Sequence, residues 1–342
     1  AYTEYGVNIV KAAGWGCVGP YDIENIATDS YCVYTNHPVG GPYRGFGMCE
    51  IHFGIEQNID MIAHEMGIDP LEMRKINGIR EGGKSATGQT IDVAGYQECL
   101  ERASQLMEMD KPSAPSGSPT KLRGKGIAGG WKAPSMPTDV ASSVIIRMNE
   151  DGTFILLASC HDIGQGSDTI MAQIAAETLT VSVDKISVRT GDTDHTPYEW
   201  QTVASRSTYC AGNATKLAAE DLRNKILELA QIKMGTWKND LYLENGFVCR
   251  KFYPDQKVPI ATFALGLTLP DQSGIGGPMI GVGSFVVPNN IAADKKTGLS
   301  PKPVAFWSMG VNGAEVEVDT ETGKIKVLKM VSVFDAGKVI NP

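Results

Sequence analysis

Apolar positions recur every three or four residues in two parts of the first 110 residues, and this spacing predicts amphipathic helices. The first helix covers Glu50–Met66 and ends at Gly67. Asp69 then predicts the N-cap of a second helix, with Pro70 in its first turn. By contrast, β-branched and aromatic residues at 27–35 predict a strand. A further helix has one apolar side, formed by Tyr96, Cys99, Leu100, Ala103 and Met107.

The second half of the chain alternates between strand and helix patterns. Asp151-Gly152, between two β-rich runs, predicts a hairpin. Helices are predicted over about 167–179 and 207–234, on either side of a strand at 185–189. Near the end, an alternating pattern predicts a hairpin around the Thr322-Gly323 turn. Its outward acidic residues would face outward lysines across the two strands, while Ala314, Val316, Val318, Ile325 and Val327 would point inward.

These elements predict an α+β protein with mixed sheets and packed helices, and the length of 342 residues favours two domains. We expect the first domain to contribute residues 1–80 and the second to contribute 123–342, with a connecting helix and linker at 81–122. The linker is clearest at Lys111–Thr120, which is rich in Pro and Ser. The chain starts without Met and stops directly after a strand pattern, so we interpret it as a piece of a longer polypeptide with both domains incomplete.

Composition narrows the function classes. Apolar residues make up 42% and charged residues 20%, as in ordinary globular proteins, and the net charge of −8 argues against a nucleic-acid partner. No apolar run is long enough to cross a bilayer, so we expect no membrane partner. The seven cysteines form no C-x-x-C pair, which argues against a disulfide framework, a zinc site or an iron–sulfur cluster in this chain. A reducing cytoplasm is the expected compartment, and the five histidines show no metal-ligand spacing.

Three Gly- or Ser-rich junctions precede predicted helices. The first, Gly41–Gly47 (G-P-Y-R-G-F-G), suits a turn that faces a ligand, because glycine lets a backbone approach a bound group closely. The second, Asp162–Thr169, combines a helix terminus that favours an anion with the amide of Gln165. The third, Thr202–Thr208, gathers four hydroxyls around Arg206, which could clamp a phosphate. Each junction alone could also be an ordinary helix start.

Two other motifs carry less weight. Gly124–Gly129 fits G-x-G-x-x-G, but Trp131 and Pro134 follow where a dinucleotide-binding fold needs a helix, so we interpret the match as accidental. The chain also has no G-x-S-x-G elbow of a serine hydrolase.

Taken in order, the segments G-P-Y-R-G-F-G, D-I-G-Q-G-S-D-T and T-V-A-S-R-S-T resemble the molybdenum-binding subunit of the xanthine dehydrogenase/aldehyde oxidase family. The resemblance covers essentially the whole chain and implies two molybdopterin-cofactor-binding domains. It implies that Arg44, through its backbone, and Phe46, by packing on substrate, lie beside the metal. The cofactor-binding residues implied are Gly164, Gln165, Gly166, Thr202, Ala204, Ser205, Arg206 and Ser207. No residue of this chain is implied as a protein ligand of the metal.

The resemblance implies an oxidoreductase that hydroxylates an N-heteroaromatic compound, purine- or nicotinate-like, or an aldehyde, with oxygen from water. The implied cofactor is molybdopterin with molybdenum, as the cytosine dinucleotide. Iron–sulfur clusters and FAD would lie on partner subunits or domains of a hetero-oligomer and carry the electrons away. A cysteine-containing loop replaces R-G-F-G in the carbon monoxide dehydrogenase branch, so this chain resembles a hydroxylase instead.

The chain also departs from the family pattern. The family's catalytic base is a glutamate in a G-x-G-E-like stretch after the N-P at which this chain ends, and Gly281–Ser284 (G-V-G-S) comes too early to replace it. Purine hydroxylases have an orienting arginine where this chain has Lys11-Ala12-Ala13, and their aromatic partner region is here Gly129-Gly130-Trp131. Two alternatives stay open: a cofactor-free scaffold subunit of the same fold, and a phosphosugar- or nucleotide-binding enzyme that uses the same helix termini.

Overall fold

The structure is a computed structural model of the chain, and it describes residues 5–38, 40–134 and 140–342. Two compact units make up the chain. Their bounds are Ala1–Ser135 with Asn289–Lys338 for the first unit, and Met136–Pro288 with Val339–Pro342 for the second unit. Each unit contains both helices and sheet, which confirms the predicted α+β class.

The regular elements are as follows. The α-helices are α1 (Gly6–Trp15), α2 (Met48–Met66), α3 (Pro70–Asn77), α4 (Tyr96–Met107), α5 (Ser167–Leu179) and α6 (Gly212–Met234). The strands are β1 (Lys121–Lys132), β2 (Ala141–Met148), β3 (Phe154–Ala158), β4 (Ile186–Thr190), β5 (Leu241–Glu244), β6 (Phe247–Arg250), β7 (Tyr253–Pro259), β8 (Leu267–Thr268), β9 (Gly274–Ile275), β10 (Ile280–Val286), β11 (Ser308–Asp319) and β12 (Ile325–Asp335). A π-helical turn, Ser207–Ala211, leads directly into α6.

The helix boundaries of the first unit follow the sequence signals. Helix α2 ends at Gly67, whose left-handed φ of 66° is typical of a helix C-terminus. Helix α3 begins at Pro70, and the Asp69 side chain accepts hydrogen bonds from the backbone N–H groups of Leu71 and Glu72. Both predictions, and the apolar side of α4, are therefore confirmed.

The sheet of the first unit has the antiparallel order β1-β11-β12, and α4 packs against it. The packing is close because two strand positions lack a side chain. A Cβ atom at Gly129 would lie 2.5 Å from the Tyr96 hydroxyl oxygen, and one at Gly313 would lie 2.3 Å from Cγ of Met107. The glycines of this sheet therefore admit the large side chains of α4 into the core.

Helix α2 runs along the outer edge of β1 and supplies acceptors to its backbone. Glu56 accepts a hydrogen bond from Gly129 N–H at 2.9 Å, and the sulfur of Met48 accepts one from Ala133 N–H at 3.4 Å. Glu56 is also bonded to buried Arg74 and to the hydroxyl of Tyr21. Side chains of α2 thus take the place of a neighbouring strand at this edge.

The second unit is built on a mixed sheet of order β10-β2-β3-β4, in which only β3 and β4 pair in parallel. The hairpin predicted at Asp151-Gly152 joins β2 and β3, as expected. Helix α6 packs on β10, where a Cβ atom at Gly281 or Gly283 would come within 2.2 Å of a backbone oxygen of α6. The G-V-G-S segment therefore has a packing role, since its glycines let α6 lie directly on the strand.

Two local predictions are wrong. Residues 27–35 form no strand in the described chain, and Tyr31 and Val33 are largely exposed, because no neighbouring strand pairs with them. The hairpin of β11 and β12 forms, with Glu317 opposite Lys326 as predicted, but Ile325 and Val327 are exposed and Glu317 is buried. Ile325 is 68% exposed, whereas Glu317 is 9% exposed and is paired with Arg123.

The remaining sequence features lie within the first unit. Lys111–Thr120 has no regular secondary structure and joins α4 to β1 inside this unit, whereas the division between units falls elsewhere. The domain bounds drawn from the sequence stay a prediction. The G-x-G-x-x-G match lies within strand β1, with no helix after it, which explains why it is accidental. Among the described residues, no helix combines the length and the apolar character needed to cross a membrane.

Candidate functional site

The first junction is a left-handed turn between an extended segment and α2. Gly45, Phe46 and Gly47 have φ angles of 111°, 53° and 88°. A positive φ is unusual for a phenylalanine and marks backbone that the surrounding structure holds in a strained conformation. The Phe46 ring is half-buried and meets the Tyr5 ring edge-on, with 6.3 Å between the centroids. The turn therefore fixes the direction of this ring.

Both glycines of this turn are required by their surroundings. A Cβ atom at Gly47 would lie 2.2 Å from the carbonyl oxygen of Ile9 in α1, and one at Gly45 would lie 2.2 Å from the Cys49 sulfur. The carbonyl oxygen of Arg44 accepts a hydrogen bond from that same thiol at 3.5 Å, and the Arg44 side chain is exposed. The structure thus presents Arg44 and Phe46 side by side at the start of α2.

The second junction, before α5, is organised by its own side chains. The Gln165 amide oxygen accepts a hydrogen bond from Ile163 N–H, and its nitrogen donates to the carbonyl oxygen of His161 and to the Ser167 hydroxyl. Most of the hydrogen-bonding capacity of this amide is therefore used within the loop. These contacts hold the loop in shape, and the assignment of Gln165 to the cofactor stays a prediction.

Asp162 occupies the anion position at the start of α5. Its carboxylate accepts the N–H of Gly164 at 2.8 Å, and those of Gly166 and Asp168 at 3.4 Å each. The hydrogen bond from Gly164 and its neighbours lowers the pKa of Asp162, while burial and the nearby Asp162 charge raise the pKa of Asp168. A second anion at this terminus would meet a carboxylate that already holds the free amides.

The backbone of this loop nevertheless has open sides. Gly164 and Gly166 have φ angles of 101° and 76°, and a Cβ atom at either position would meet no atom within 4 Å. Glycine at both positions leaves the peptide backbone open to the close approach of a ligand.

The third junction contains the most deeply buried arginine of the second unit. The Arg206 guanidinium is paired with Glu199, and their side chains are 1% and 4% exposed. It also donates to the carbonyl oxygens of Gln201 and Ala141 and to the Ser142 hydroxyl, at 3.0–3.2 Å. These contacts connect the junction to the start of β2. Its observed partners hold the loop, and the role of this side chain as a phosphate clamp stays a prediction.

The backbone of the third junction has an unusual conformation. Ala204 and Ser205 have φ angles of 58° and 56°, and Arg206 follows with −96°. Left-handed residues followed by a right-handed one can turn successive N–H groups toward one point, which is the geometry of an anion-binding nest. Ser207 then opens the π-helical turn, a feature that is frequent at functional sites.

The second and third junctions lie together. Thr202 accepts the backbone N–H of His161 at 3.0 Å through its hydroxyl, and the hydroxyls of Ser159 and Thr196 are 2.5 Å apart. The structure thereby brings Gly164, Gln165 and Gly166 next to Thr202 within the second unit, while Arg44 and Phe46 belong to the first unit. The supporting roles of Asp162, Glu199 and Ser142 were not predicted from the sequence. For Asp162 and Glu199, the one available signal was an acidic residue beside a Gly- or Ser-rich junction.

Comparison with known proteins supplies the family. A model described as a molybdopterin cofactor-binding domain matches residues 99–342, and a second one with the same description matches residues 1–78. The putative xanthine dehydrogenase molybdenum-binding subunit XdhA of Escherichia coli is 30% identical over 351 residues, which cover 100% of this chain and 44% of that protein. The nicotine 6-hydroxylase large subunit of Paenarthrobacter nicotinovorans is 26% identical over 95% of this chain and 40% of its own.

Solved structures agree with the sequence relatives. The aldehyde oxidoreductase from Desulfovibrio desulfuricans superposes with a TM-score of 0.78 at 27% identity, over 99% of this chain and 34% of that chain. The present chain therefore spans less than half the length of these relatives.

Proposed function

The chain belongs to the family of molybdopterin cofactor-binding domains found in molybdenum hydroxylase large subunits, and we propose on this premise that it forms the central part of such an enzyme. The observation that carries the proposal is the second unit's paired loops, in which open glycine backbone and a left-handed backbone turn lie side by side. A pterin and its phosphates need these two kinds of surface.

The two loops would have different parts in binding. We assign Gly164 and Gly166 to the flat pterin, because their backbone is open and the carboxylate of Asp162 already occupies the anion position there. We assign the phosphate to the backbone N–H groups of Ala204 and Ser205 and to the hydroxyl of Ser207. Arg206, Gln165 and Thr202 would support these surfaces from behind, since their polar groups hold the loops together.

The residues present thus fit the cofactor, which when bound supplies a metal centre that activates water for attack on an electrophilic carbon. The chain's own contribution is to bind and to orient. Phe46 would pack on the substrate ring, because its strained backbone and its contact with Tyr5 fix the ring direction. Arg44 would present its backbone toward the ligands of the metal. The catalytic base would be a glutamate outside this chain.

The finer parts of the function follow from the relatives and are part of the same proposal. The substrate would be an N-heteroaromatic compound or an aldehyde, since the relatives include a nicotine 6-hydroxylase and an aldehyde oxidoreductase. The cofactor would be the cytosine dinucleotide form, and electrons would pass to iron–sulfur clusters and FAD on partner subunits or domains. None of the seven cysteines forms a disulfide, which supports a reducing compartment such as the cytoplasm.

The test is the metal and pterin content of the full-length enzyme and of two variants. Ser205→Asp places a carboxylate at the proposed phosphate position, and Ser205→Asn is the matched control, because it has the same size without the charge and tolerates a positive φ. We expect about one molybdenum per parent subunit, a cytosine dinucleotide released on denaturation, a clear loss of both in Ser205→Asp, and retention in Ser205→Asn. A parent protein free of molybdenum and pterin would instead support the cofactor-free scaffold, and released nucleotide without pterin would support a nucleotide-binding enzyme.

A further inference from the structure

The sheet of the first unit has an outer face, on the side away from α4, that carries no charge. Residues directly opposite each other in antiparallel strands share a face, so the register assigns each position of β1, β11 and β12 to one side. The outer face consists of the cross-strand rows Leu122–Val318–Ile325, Gly124–Val316–Val327, Gly126–Ala314–Met330, Ala128–Asn312–Ser332 and Gly130–Gly310–Phe334. Its large apolar side chains that are 59–68% exposed are Leu122, Ile325, Val327, Met330 and Phe334.

The charged residues at this end of the sheet are on the opposite face, which is covered. Arg123 pairs there with Glu317 at 2.9 Å, and Lys329 donates a hydrogen bond to the carbonyl oxygen of Leu106 in α4. An antiparallel sheet with one open face normally has polar residues on that face and apolar residues against the core. The arrangement here is the reverse, so the outer face has the composition of a surface that another element covers.

Two glycines leave open space on this face above β1. A Cβ atom at Gly124 or Gly126 would meet no other atom within 4 Å, and neither residue has a positive φ angle. The backbone conformation therefore does not require glycine at either position. Glycine inside a strand weakens it, and often marks a place where another backbone approaches closely.

A glycine pair with the same spacing seats a helix in the second unit. Gly281 and Gly283 are two residues apart on one face of β10, and a Cβ atom at either would come within 2.2 Å of a backbone oxygen of α6. Without these two side chains, the helix lies directly on the strand. Gly124 and Gly126 repeat this spacing on β1, at a place where the described part of the chain leaves open space.

The composition of the face and the length of the relatives indicate what covers it. Interfaces between proteins that associate reversibly are about as polar as ordinary protein surface, whereas a face without charge resembles the interior of a domain. The chain spans 44% of the Escherichia coli relative and 40% of the nicotine 6-hydroxylase large subunit. More than half of either polypeptide thus lies outside the matched region, and a permanent neighbour from the same polypeptide fits the face.

We propose that a helix from another part of the same large-subunit polypeptide, outside these 342 residues, packs on the outer face and lies across Gly124 and Gly126. The inference rests on the proposal that this chain is the central part of a longer subunit, and it does not depend on the cofactor. It also gives the G-x-G-x-x-G match a packing role. The first two glycines face the helix, and the third, Gly129, admits Tyr96 on the core side.

Photo-crosslinking of the full-length enzyme identifies the occupant. A photoreactive methionine analogue is incorporated in place of methionine, and Met330→Leu is the matched control that removes the crosslinks of this position. Mixing isotope-labelled with unlabelled copies separates crosslinks within one polypeptide from crosslinks between copies. We expect Met330-dependent crosslinks within one polypeptide, to residues outside these 342 that are spaced three or four apart, as on one face of a helix.

Met330-dependent crosslinks to a second copy or to a partner subunit would overturn the proposal, and so would the absence of any such crosslink. The experiment is made on enzyme with and without molybdenum. The expected crosslinks in a protein that never contains molybdenum would keep the interface and remove the hydroxylase. Molybdenum in the enzyme without these crosslinks would do the opposite.

Thermal unfolding of the full-length enzyme tests the glycine pair. Gly126→Val would place a branched side chain under the proposed helix, and Gly274→Val is the control, because Gly274 in β9 also has open space around its Cβ position and no positive φ angle. Valine favours strands, so the control should keep or raise the unfolding midpoint. Gly126→Val should lower it by at least about 4 °C through overpacking. An unchanged or raised midpoint in Gly126→Val would overturn the proposal, and if this variant does not fold, the crosslinks of the parent decide.

Discussion

The buried pair of Arg206 and Glu199 gives the sharpest test of how the third junction works. If the guanidinium holds the loop, its removal should destabilise the protein even when no ligand is present. If it instead clamps a phosphate, as sequence reasoning predicted, its removal should cost cofactor and leave the empty protein as stable as before. Arg206→Met, which keeps the length of the side chain and removes the charge, distinguishes these outcomes.

The structure sets the size of the effect. The two side chains are 1% and 4% exposed, so water cannot replace the lost partner, and Glu199 would be left as a buried, unpaired carboxylate. Breaking such a pair from one side costs about 3–5 kcal/mol. Replacing both residues by apolar ones often costs little, so Arg206→Met combined with Glu199→Leu should recover most of that loss.

Urea unfolding of cofactor-free protein, followed by far-UV circular dichroism, is the appropriate assay. The transition of the second unit should shift to lower urea in Arg206→Met, and the double variant should restore most of the shift. Surface lysine Lys216, whose pairing with Glu220 is exposed, supplies a control, since Lys216→Met should change stability by less than about 0.5 kcal/mol. An Arg206→Met protein that unfolds with the parent midpoint and only loses pterin would refute the structural role.

Two further predictions concern the other junctions. Gly47→Ala should lower the free energy of unfolding by about 2–4 kcal/mol, and Gly67→Ala by only about 1 kcal/mol. Both positions have positive φ angles, but only a Cβ atom at Gly47 would meet the carbonyl oxygen of Ile9. Thermal unfolding of the two variants measures the difference that this contact makes, and equal losses would contradict the prediction. Asp162→Ala should lower the melting temperature at pH 7. The folded protein lowers the pKa of this carboxyl, so the ionised carboxylate stabilises the folded state above the unfolded pKa of about 3.9. That stability is lost as the pH falls through the folded-state pKa, so the difference from the parent should close below about pH 4. A difference that is constant from pH 3 to 7 would show that the charge is irrelevant.

Local signals in the sequence predicted helices α2 to α6 and several turns correctly, but not helix α1. The spacing of Ile51 and Ile55, the cap at Asp69 and the Asp151-Gly152 turn each depend on neighbours within a few residues, so pattern and propensity are sufficient. The strand predicted at 27–35 failed for the opposite reason. A strand is stable only when another segment pairs with it, and no such segment lies beside these residues in the described chain.

The faces of the last hairpin failed for a related reason. Alternation shows that two faces differ, but it does not show which one packs against the core. Glu317 is buried, contrary to the prediction, because it forms an ion pair with Arg123 on β1. The two residues are almost 200 positions apart in sequence. Two of the partners of Arg206, Ala141 and Ser142, are also more than 60 residues away in sequence, so only the structure could identify them.

The charges at the paired loops bear on how the proposed phosphate site would attract an anion. The net charge is −8, Glu199 neutralises the only arginine of the third junction, and Asp162 adds a carboxylate at the second. Side-chain charge therefore contributes no net attraction at these loops. In the proposed assignment, the attraction would come from backbone N–H groups that the left-handed conformations of Ala204 and Ser205 orient. Such binding would depend on the shape of the loop more than on ionic strength. The buried pair of Arg206 and Glu199 would then act on the cofactor through the loop that it holds.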